Sequence, residues 1–263
     1  MFIIGEKINT SVKDVEKAVE KKDAAFVQDL ARKQVISGAD ALDVNVGTRI
    51  HTEVEDMKWG IKAIQEVVGV PLCIDSPNPS ALEAGLTQHK GKAIINSVTA
   101  EKKRVNGILP LLKRFHSKVI GLTMDDTGLP KDMRTRYTIT ERLVDLLTQE
   151  GVALDDIYID PLIRPISTDS GCGWTVLEAM EKISDSFKEI HLICGLSNIS
   201  FGLPRRGLLN RVFLSLAMSR GLDAVILDPL DKEMISMIRA GEALLGKDEY
   251  CTKYLSFFRE GKL

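Results

Sequence analysis

Acids and amides recur in one setting along this chain, at the end of a short β-branched apolar run. In Cys73-Ile74-Asp75, Ile94-Ile95-Asn96 and Tyr158-Ile159-Asp160 the polar residue follows the last apolar residue directly. Glu6 and Asn9, Asp43 and Asn45, Asp125 and Asp126, Asn198 and Asp228 stand in comparable places. A carboxylate accepts two parallel N–H bonds, and a carboxamide donates and accepts along one edge. A set of them brought together suits a neutral, planar ligand with an edge rich in N–H groups. The commonest duty of Asp or Asn at a strand-to-helix turn is to cap the helix. A cap falls at the helix start, however, and several of these residues sit on the strand itself.

The elements that must position them alternate regularly. Strand-like runs at Phe2 to Gly5, Ala41 to Val44, Leu72 to Asp75 and Ala93 to Asn96 are followed by helical periodicity over Asp23 to Ser37, Glu53 to Val68, Pro79 to Leu86 and Val105 to Phe115. The second half repeats the unit, with runs at Val119 to Thr123, Ile157 to Asp160, Ile190 to Cys194 and Ala224 to Leu227. Their helices are expected over Thr138 to Gln149, Val176 to Ser184, Arg206 to Arg220 and Lys232 to Leu245. Apolar strands alternating with helices, with no Gly/Ser-rich linker, predict an α/β chain folded as one (β/α)8 TIM barrel over residues 1–263. An open doubly wound sheet is the rival, but Gly5-Glu6-Lys7-Ile8-Asn9 supplies no GxGxxG after the first strand. In a barrel all strand ends meet on one rim, where catalytic groups of this fold sit.

Composition narrows the class. With 35 Lys+Arg against 37 Asp+Glu and a net charge of -2, the chain has no basic excess for a nucleic-acid backbone. Cys73, Cys172, Cys194 and Cys251 form no CxxC pair, which predicts reduced thiols. The N-terminus has neither a basic n-region nor an apolar run of spanning length. A cytoplasmic protein that binds no nucleic acid and no membrane is expected. His51, His89, His116 and His191 fall in no catalytic spacing and read as structural or surface residues.

The rim chemistry matches the aminopyrimidinone edge of a pterin, with Asp75, Asn96 and Asp160 supplying acceptors and a donor. Clustered carboxylates also hold magnesium on some barrel rims, so a metal-dependent lyase or aldolase is a competing reading. None of these acids is accompanied by an adjacent histidine or a phosphate-gripping glycine loop.

The stretches Gly5-Glu6-Lys7-Ile8-Asn9, Asp43-Val44-Asn45-Val46-Gly47, Asp75-Ser76-Pro77-Asn78-Pro79, Ile95-Asn96-Ser97-Val98, Asp160-Pro161-Leu162 and Gly195-Leu196-Ser197-Asn198-Ile199-Ser200-Phe201-Gly202-Leu203-Pro204 together resemble the pterin-binding methyltetrahydrofolate:corrinoid methyltransferases. The resemblance implies a homodimeric barrel that binds tetrahydrofolate or 5-methyltetrahydrofolate through Asp75, Asn96 and Asp160, with Asn198 near N5. It implies a corrinoid partner protein that brings cobalamin to the rim over loops such as Asp126 to Arg136 and Pro165 to Trp174. Glu6 and Asp43 join the folate-binding set, Met124 is a candidate to pack on the pterin face, and Arg205 and Arg206 are candidates for the folate's glutamate tail. Related dihydropteroate synthases share Asp-Val-Asn-Val-Gly, but their resemblance calls for Arg–His at the end of the last strand, where this chain has Ile226-Leu227-Asp228-Pro229. A non-catalytic folate-binding or corrinoid-docking subunit would keep the same pterin residues without turnover.

Overall fold

In the computed structural model, which describes residues 1–263, each predicted strand is present and all are parallel. They are β1 (Phe2–Asn9), β2 (Ala41–Asn45), β3 (Leu72–Asp75), β4 (Ile94–Thr99), β5 (Lys118–Leu122), β6 (Ile157–Asp160), β7 (His191–Leu192) and β8 (Ala224–Leu227). Their order in the sheet is β7-β6-β5-β4-β3-β2-β1-β8. The Ile226 N–H donates to Cys194 O at 2.9 Å and brings the two ends together. The chain is therefore a (β/α)8 barrel, as the alternation predicts.

Ten helices surround it: α1 (Lys13–Glu20), α2 (Ala24–Ile36), α3 (Glu53–Gln65), α4 (Pro79–Gln88), α5 (Lys102–Phe115), α6 (Met133–Gln149), α7 (Cys172–Ser186), α8 (Arg206–Ser219), α9 (Lys232–Leu244) and α10 (Thr252–Arg259). Sequence periodicity misses α1 and α10. The first is short and charged, with only Val15, Ala18 and Val19 buried, and the second buries no residue fully. Helices α6 and α7 begin earlier than expected because their first turns are specified by caps or backbone geometry rather than by apolar spacing. Asp132, for example, accepts the Thr135 N–H at 2.7 Å. The two loops expected over the rim are correspondingly shorter.

Apolar side chains segregate into two bodies. A cluster of 53 buried residues fills the layer between strands and helices. Inside the barrel lies a separate group of eight, Ile4, Ala41, Cys73, Ile94, Ile120, Tyr158, Ile193 and Ala224, none more than 3% exposed. Each strand or strand end contributes one, so the group forms a plug across the barrel. Tyr158, itself part of the plug, stacks on His191 with ring centroids 4.6 Å apart, and Lys118 Nζ donates to the Tyr158 hydroxyl at 3.0 Å. His191 also binds Asp223 at 2.7 Å and so closes the lower end of the barrel.

Gly221 ends α8 in a left-handed turn with φ +97° and leads the chain into β8. A methyl group there would overlap Ser184 of α7. Strain and overlap together cost on the order of 2–4 kcal/mol. Gly221→Ala is expected to lower the unfolding free energy by that amount in a urea titration, seen as an earlier midpoint, and an unchanged midpoint would show that this turn does not constrain β8.

Candidate active site at the C-terminal mouth

Side chains alternate along a strand, so the inward positions above the plug lie two residues farther along. They are Glu6, Asp43, Asp75, Asn96, Leu122, Asp160, Gly195 and Ile226. One step along each strand changes an apolar plug into a ring dominated by acids and an amide. Asn45, Asp75 and Asn96 are register neighbours across β2, β3 and β4. Asn45 Nδ2 donates to Asp75 Oδ2 at 2.7 Å, and Asn96 Nδ2 donates to Asp43 Oδ1 at 3.1 Å.

These acids are not helix caps. Capping falls to Asp23, Asn78, Asp132 and Asp231, whose side chains accept from Phe26, Ser80, Thr135 and Met234 N–H groups. Asn78 and Asp231 each follow a strand-end acid by three residues, so one position holds the helix and the other faces the mouth. Asp125 is different. Strand β5 ends at Leu122, and Asp125 lies in the following turn, where it accepts from Thr127 and pairs with Arg142 Nη1 at 2.7 Å. The sequence groups it with the strand-end acids, and the structure removes it from the mouth.

Burial dominates the electrostatics. Asp160, 8% exposed, is pushed up to about 6 by loss of water, opposed by the Leu162 and Gly195 amides and by the charge of Arg136. Its Oδ1 accepts the Leu162 N–H at 2.8 Å. Asp43 lies deeper, and burial together with the neighbouring Asp75 charge raises it well above the carboxylate range. Asp75 is raised by burial too, with Asn45 and Arg104 acting in the opposite direction. Glu6 is raised to about 7, first by burial and then by Asp228.

Two guanidinium groups hold the loops that carry these acids. Arg104 donates to Ser76 O, Pro77 O and Ser97 O at 2.8, 2.5 and 2.8 Å, tying the ends of β3 and β4 together. Arg136, 1% exposed, donates to Pro161 O at 2.7 Å, Asp132 O at 3.1 Å and Leu162 O at 3.4 Å behind Asp160. The sequence reading passes over both, because their partners are backbone carbonyls that have no residue-type signature. It also passes over Lys7. Strand β1 slips register between Gly5 and Ile8, and the Lys7 N–H leaves the ladder for Gln34 Oε1 at 3.0 Å. This bulge sends the Lys7 ammonium to Asp228 at 2.9 Å on the rim. Its only sequence trace is the glycine before Glu6, where a side chain would meet Gln34.

Asn198 lies past β7 on a single 3-10 turn, Leu196–Ser200. Its side chain is exposed, and a Cβ at Gly195 would approach its Nδ2 to 3.2 Å, so the glycine lets the amide lie close over the strand end. The backbone beneath it is fixed by Ile166 N–H to Ile199 O at 3.1 Å, Ser167 Oγ to Phe201 O at 2.8 Å and Arg206 Nη2 to Ser197 O at 2.7 Å. Arg206 therefore braces the turn that carries Asn198 while remaining exposed. Met124 is half-buried above β5, and its carbonyl accepts the Ala100 N–H at 2.8 Å. The structure thus gathers Glu6, Asp43, Asp75, Asn96 and Asp160 inside the mouth and sets Asn198, Arg206 and Met124 around its edge.

Residues 5–228 match the family described as pterin binding enzyme. The chain is 38% identical over 265 aligned residues to the methylcorrinoid:tetrahydrofolate methyltransferase of Eubacterium limosum, covering 100% of this chain and 98% of that protein. It is 31% identical to methionine synthase of Mycobacterium tuberculosis over 86% of this chain, a match that spans 20% of that larger enzyme. Among solved structures, dihydropteroate synthase of Yersinia pestis superposes with TM-score 0.69 at 15% identity, covering 93% of each chain. The Vibrio fischeri ES114 7,8-dihydropteroate synthase gives TM-score 0.69 at 16% identity, again over 93% of each chain. At such identities the superpositions speak for the barrel alone.

Burying Asp160 sets a cost with a definite sign. Its folded value of about 6 lies above the ordinary 3.8, so the folded state holds the proton to higher pH than the unfolded chain. Stability from this group is complete below about pH 4 and is lost as pH rises through 6, by on the order of 2–3 kcal/mol. Asp160→Asn is expected to be more stable than the parent in guanidinium titrations at pH 8, by about 1–3 kcal/mol. The advantage should vanish near pH 4, and equal stabilities at both pH values would mean that Asp160 is not desolvated.

Proposed function

The chain belongs to the pterin binding enzyme family, and on that premise we propose that it is a methyltransferase moving a methyl group between N5 of tetrahydrofolate and the cobalt of a corrinoid borne by a separate protein. One observation carries the reading. Asp75, Asn96 and Asp160 are relieved of capping and converge in the mouth, while Asp75 Oδ1 and Asn96 Oδ1 accept no hydrogen bond from the protein. Ionised Asp75 and Asp160 accept the exocyclic amine and ring N–H groups of the pterin, and the Asn96 oxygen completes that edge. Glu6 and Asp43 deepen the acidic wall, and Met124 offers a polarisable surface to the ring.

The reacting nitrogen then faces the turn after β7. A tertiary amine leaves poorly unless N5 carries a proton or a strong hydrogen bond. An amide presents nitrogen or oxygen as the protonation state demands, so Asn198 serves methylated and unmethylated folate alike. Arg206, already beneath that turn, extends toward the folate's carboxylate tail. A corrin ring is much larger than a pterin, and a carrier would deliver it over the rim. Val12, Ile50, Leu129, Phe201 and Leu230, exposed on five different rim loops, supply apolar contacts for such a carrier. Leu208, Val212 and Leu216, spaced along one exposed stripe of α8, support a homodimer. The free thiols of Cys73, Cys172, Cys194 and Cys251 suit a cytoplasmic protein. A pterin condensation that expels pyrophosphate is disfavoured, because the end of β8 presents Asp228, already paired with Lys7, where that anion needs a cation.

Calorimetric titration with tetrahydrofolate and 5-methyltetrahydrofolate in EDTA, followed by cob(I)alamin with a visible spectrum, tests the reading. Binding with formation of methylcobalamin supports it. Binding without turnover would indicate a folate-binding or docking subunit, and absence of binding would overturn the assignment. Asn198→Ala is expected to slow methyl transfer by roughly a hundredfold while folate affinity changes less. Asp160→Asn should weaken folate binding by about 1.5–3 kcal/mol. Unchanged calorimetric affinity in that variant would place the pterin edge on other residues.

A further inference from the structure

Glu6 stands apart from the other acids of the mouth. Asp43 accepts from Asn96, Asp75 from Asn45, Asp160 from the Leu162 amide, and Asp228 from Lys7 and the Leu230 amide. The Glu6 carboxyl accepts no hydrogen bond, although it is turned into the barrel and largely withdrawn from water. It borders a recess of about 80 Å³ shared with Leu196 and Ser197, residues of the turn that carries Asn198, with Asp228 after β8 and with Asn210 and Asp231 from the α8 and α9 side, a polar space that admits water beside the carboxyl.

We propose that Glu6, an unpaired acid at an inward strand-end position of the mouth, is the proton donor and acceptor for folate N5; the proposal rests on the folate reading of the mouth. Demethylation of 5-methyltetrahydrofolate requires one proton. The N5–methyl bond breaks with its electron pair left on N5, the corrinoid substrate's cobalt(I) supplies the pair for the new cobalt–carbon bond and becomes formally cobalt(III), and the Glu6 carboxylic acid protonates N5 and becomes a carboxylate. In the opposite direction the Glu6 carboxylate takes the N5 proton as the methyl carbon bonds to N5 and leaves the cobalt. Asn198 orients N5 in both directions, and Glu6 changes charge.

The surroundings suit a reversible acid. Asp228, which lines the same recess, favours its protonated form, and Asp43 across the mouth repels a charge on Glu6 in the same sense. Lys7 and Arg206 favour the carboxylate. The result is a value of about 7, well placed for exchanging a proton near neutrality. A group wholly surrounded by acids would never release the proton, and one in a tight ion pair would never take it.

The test compares the parent with Glu6→Gln and Glu6→Asp. Proton uptake or release on binding 5-methyltetrahydrofolate and tetrahydrofolate is measured by calorimetry in buffers of different ionisation enthalpy from pH 5.5 to 8.5, followed by single-turnover transfer to cob(I)alamin. Glu6→Gln is expected to lose the proton linkage centred near pH 7 and to slow transfer at least tenfold, with folate affinity altered less than threefold; Glu6→Asp should recover part of the rate. Retained linkage and an unaltered pH–rate profile in Glu6→Gln would overturn the proposal. So would a loss confined to affinity, which would make Glu6 a binding contact. Failure of the parent itself to bind folate would remove the folate reading and this proposal with it.

Discussion

Carboxylates resist leaving water, and this barrel withdraws several of them into one mouth. Much of the architecture around them follows from that constraint. Each acid that accepts a hydrogen bond does so from a group held by the scaffold: Asn45 for Asp75, Asn96 for Asp43, and the Leu162 amide for Asp160. Positive charge is supplied at second hand. Arg104 and Arg136 spend their donors on backbone carbonyls, so their charge reaches Asp75 and Asp160 through space and restrains the rise that burial causes. The loops gain rigidity from the same contacts.

The two apolar bodies divide the labour. The outer layer fastens helices to strands, while the inner plug fixes how deep the mouth can be. Because the plug residues and the polar ring sit two positions apart on the same strands, neither ring can shift along its strand without the other. The bulge in β1 is a local departure from this rule. It gives up a ladder bond, recovers it through Gln34, and by doing so places Glu6 and Lys7 at adjoining points of the mouth.

Alternation of apolar runs with amphipathic stretches made the barrel legible, and the polar residue directly on a strand's last apolar residue marked Asp75, Asn96 and Asp160. Legibility failed where structure depends on partners far along the chain. The β1 bulge turns on Gln34, and the work of Arg104 and Arg136 turns on carbonyls, which every residue possesses. Helices α1 and α10 escaped because short or exposed segments need only a narrow apolar face. Asp125 looked like its neighbours in sequence, but β5 stops too early to bring it inward.

The lower end of the barrel is closed by the plug, whose Tyr158 stacks on His191. The mouth is thus a vessel with a single door. Whatever rests on its acids has to enter before anything broad settles over the rim, and it stays there for as long as that cover remains. A large cover on the rim would thus set the order of traffic: small guest first, large visitor second, and the large visitor first to leave.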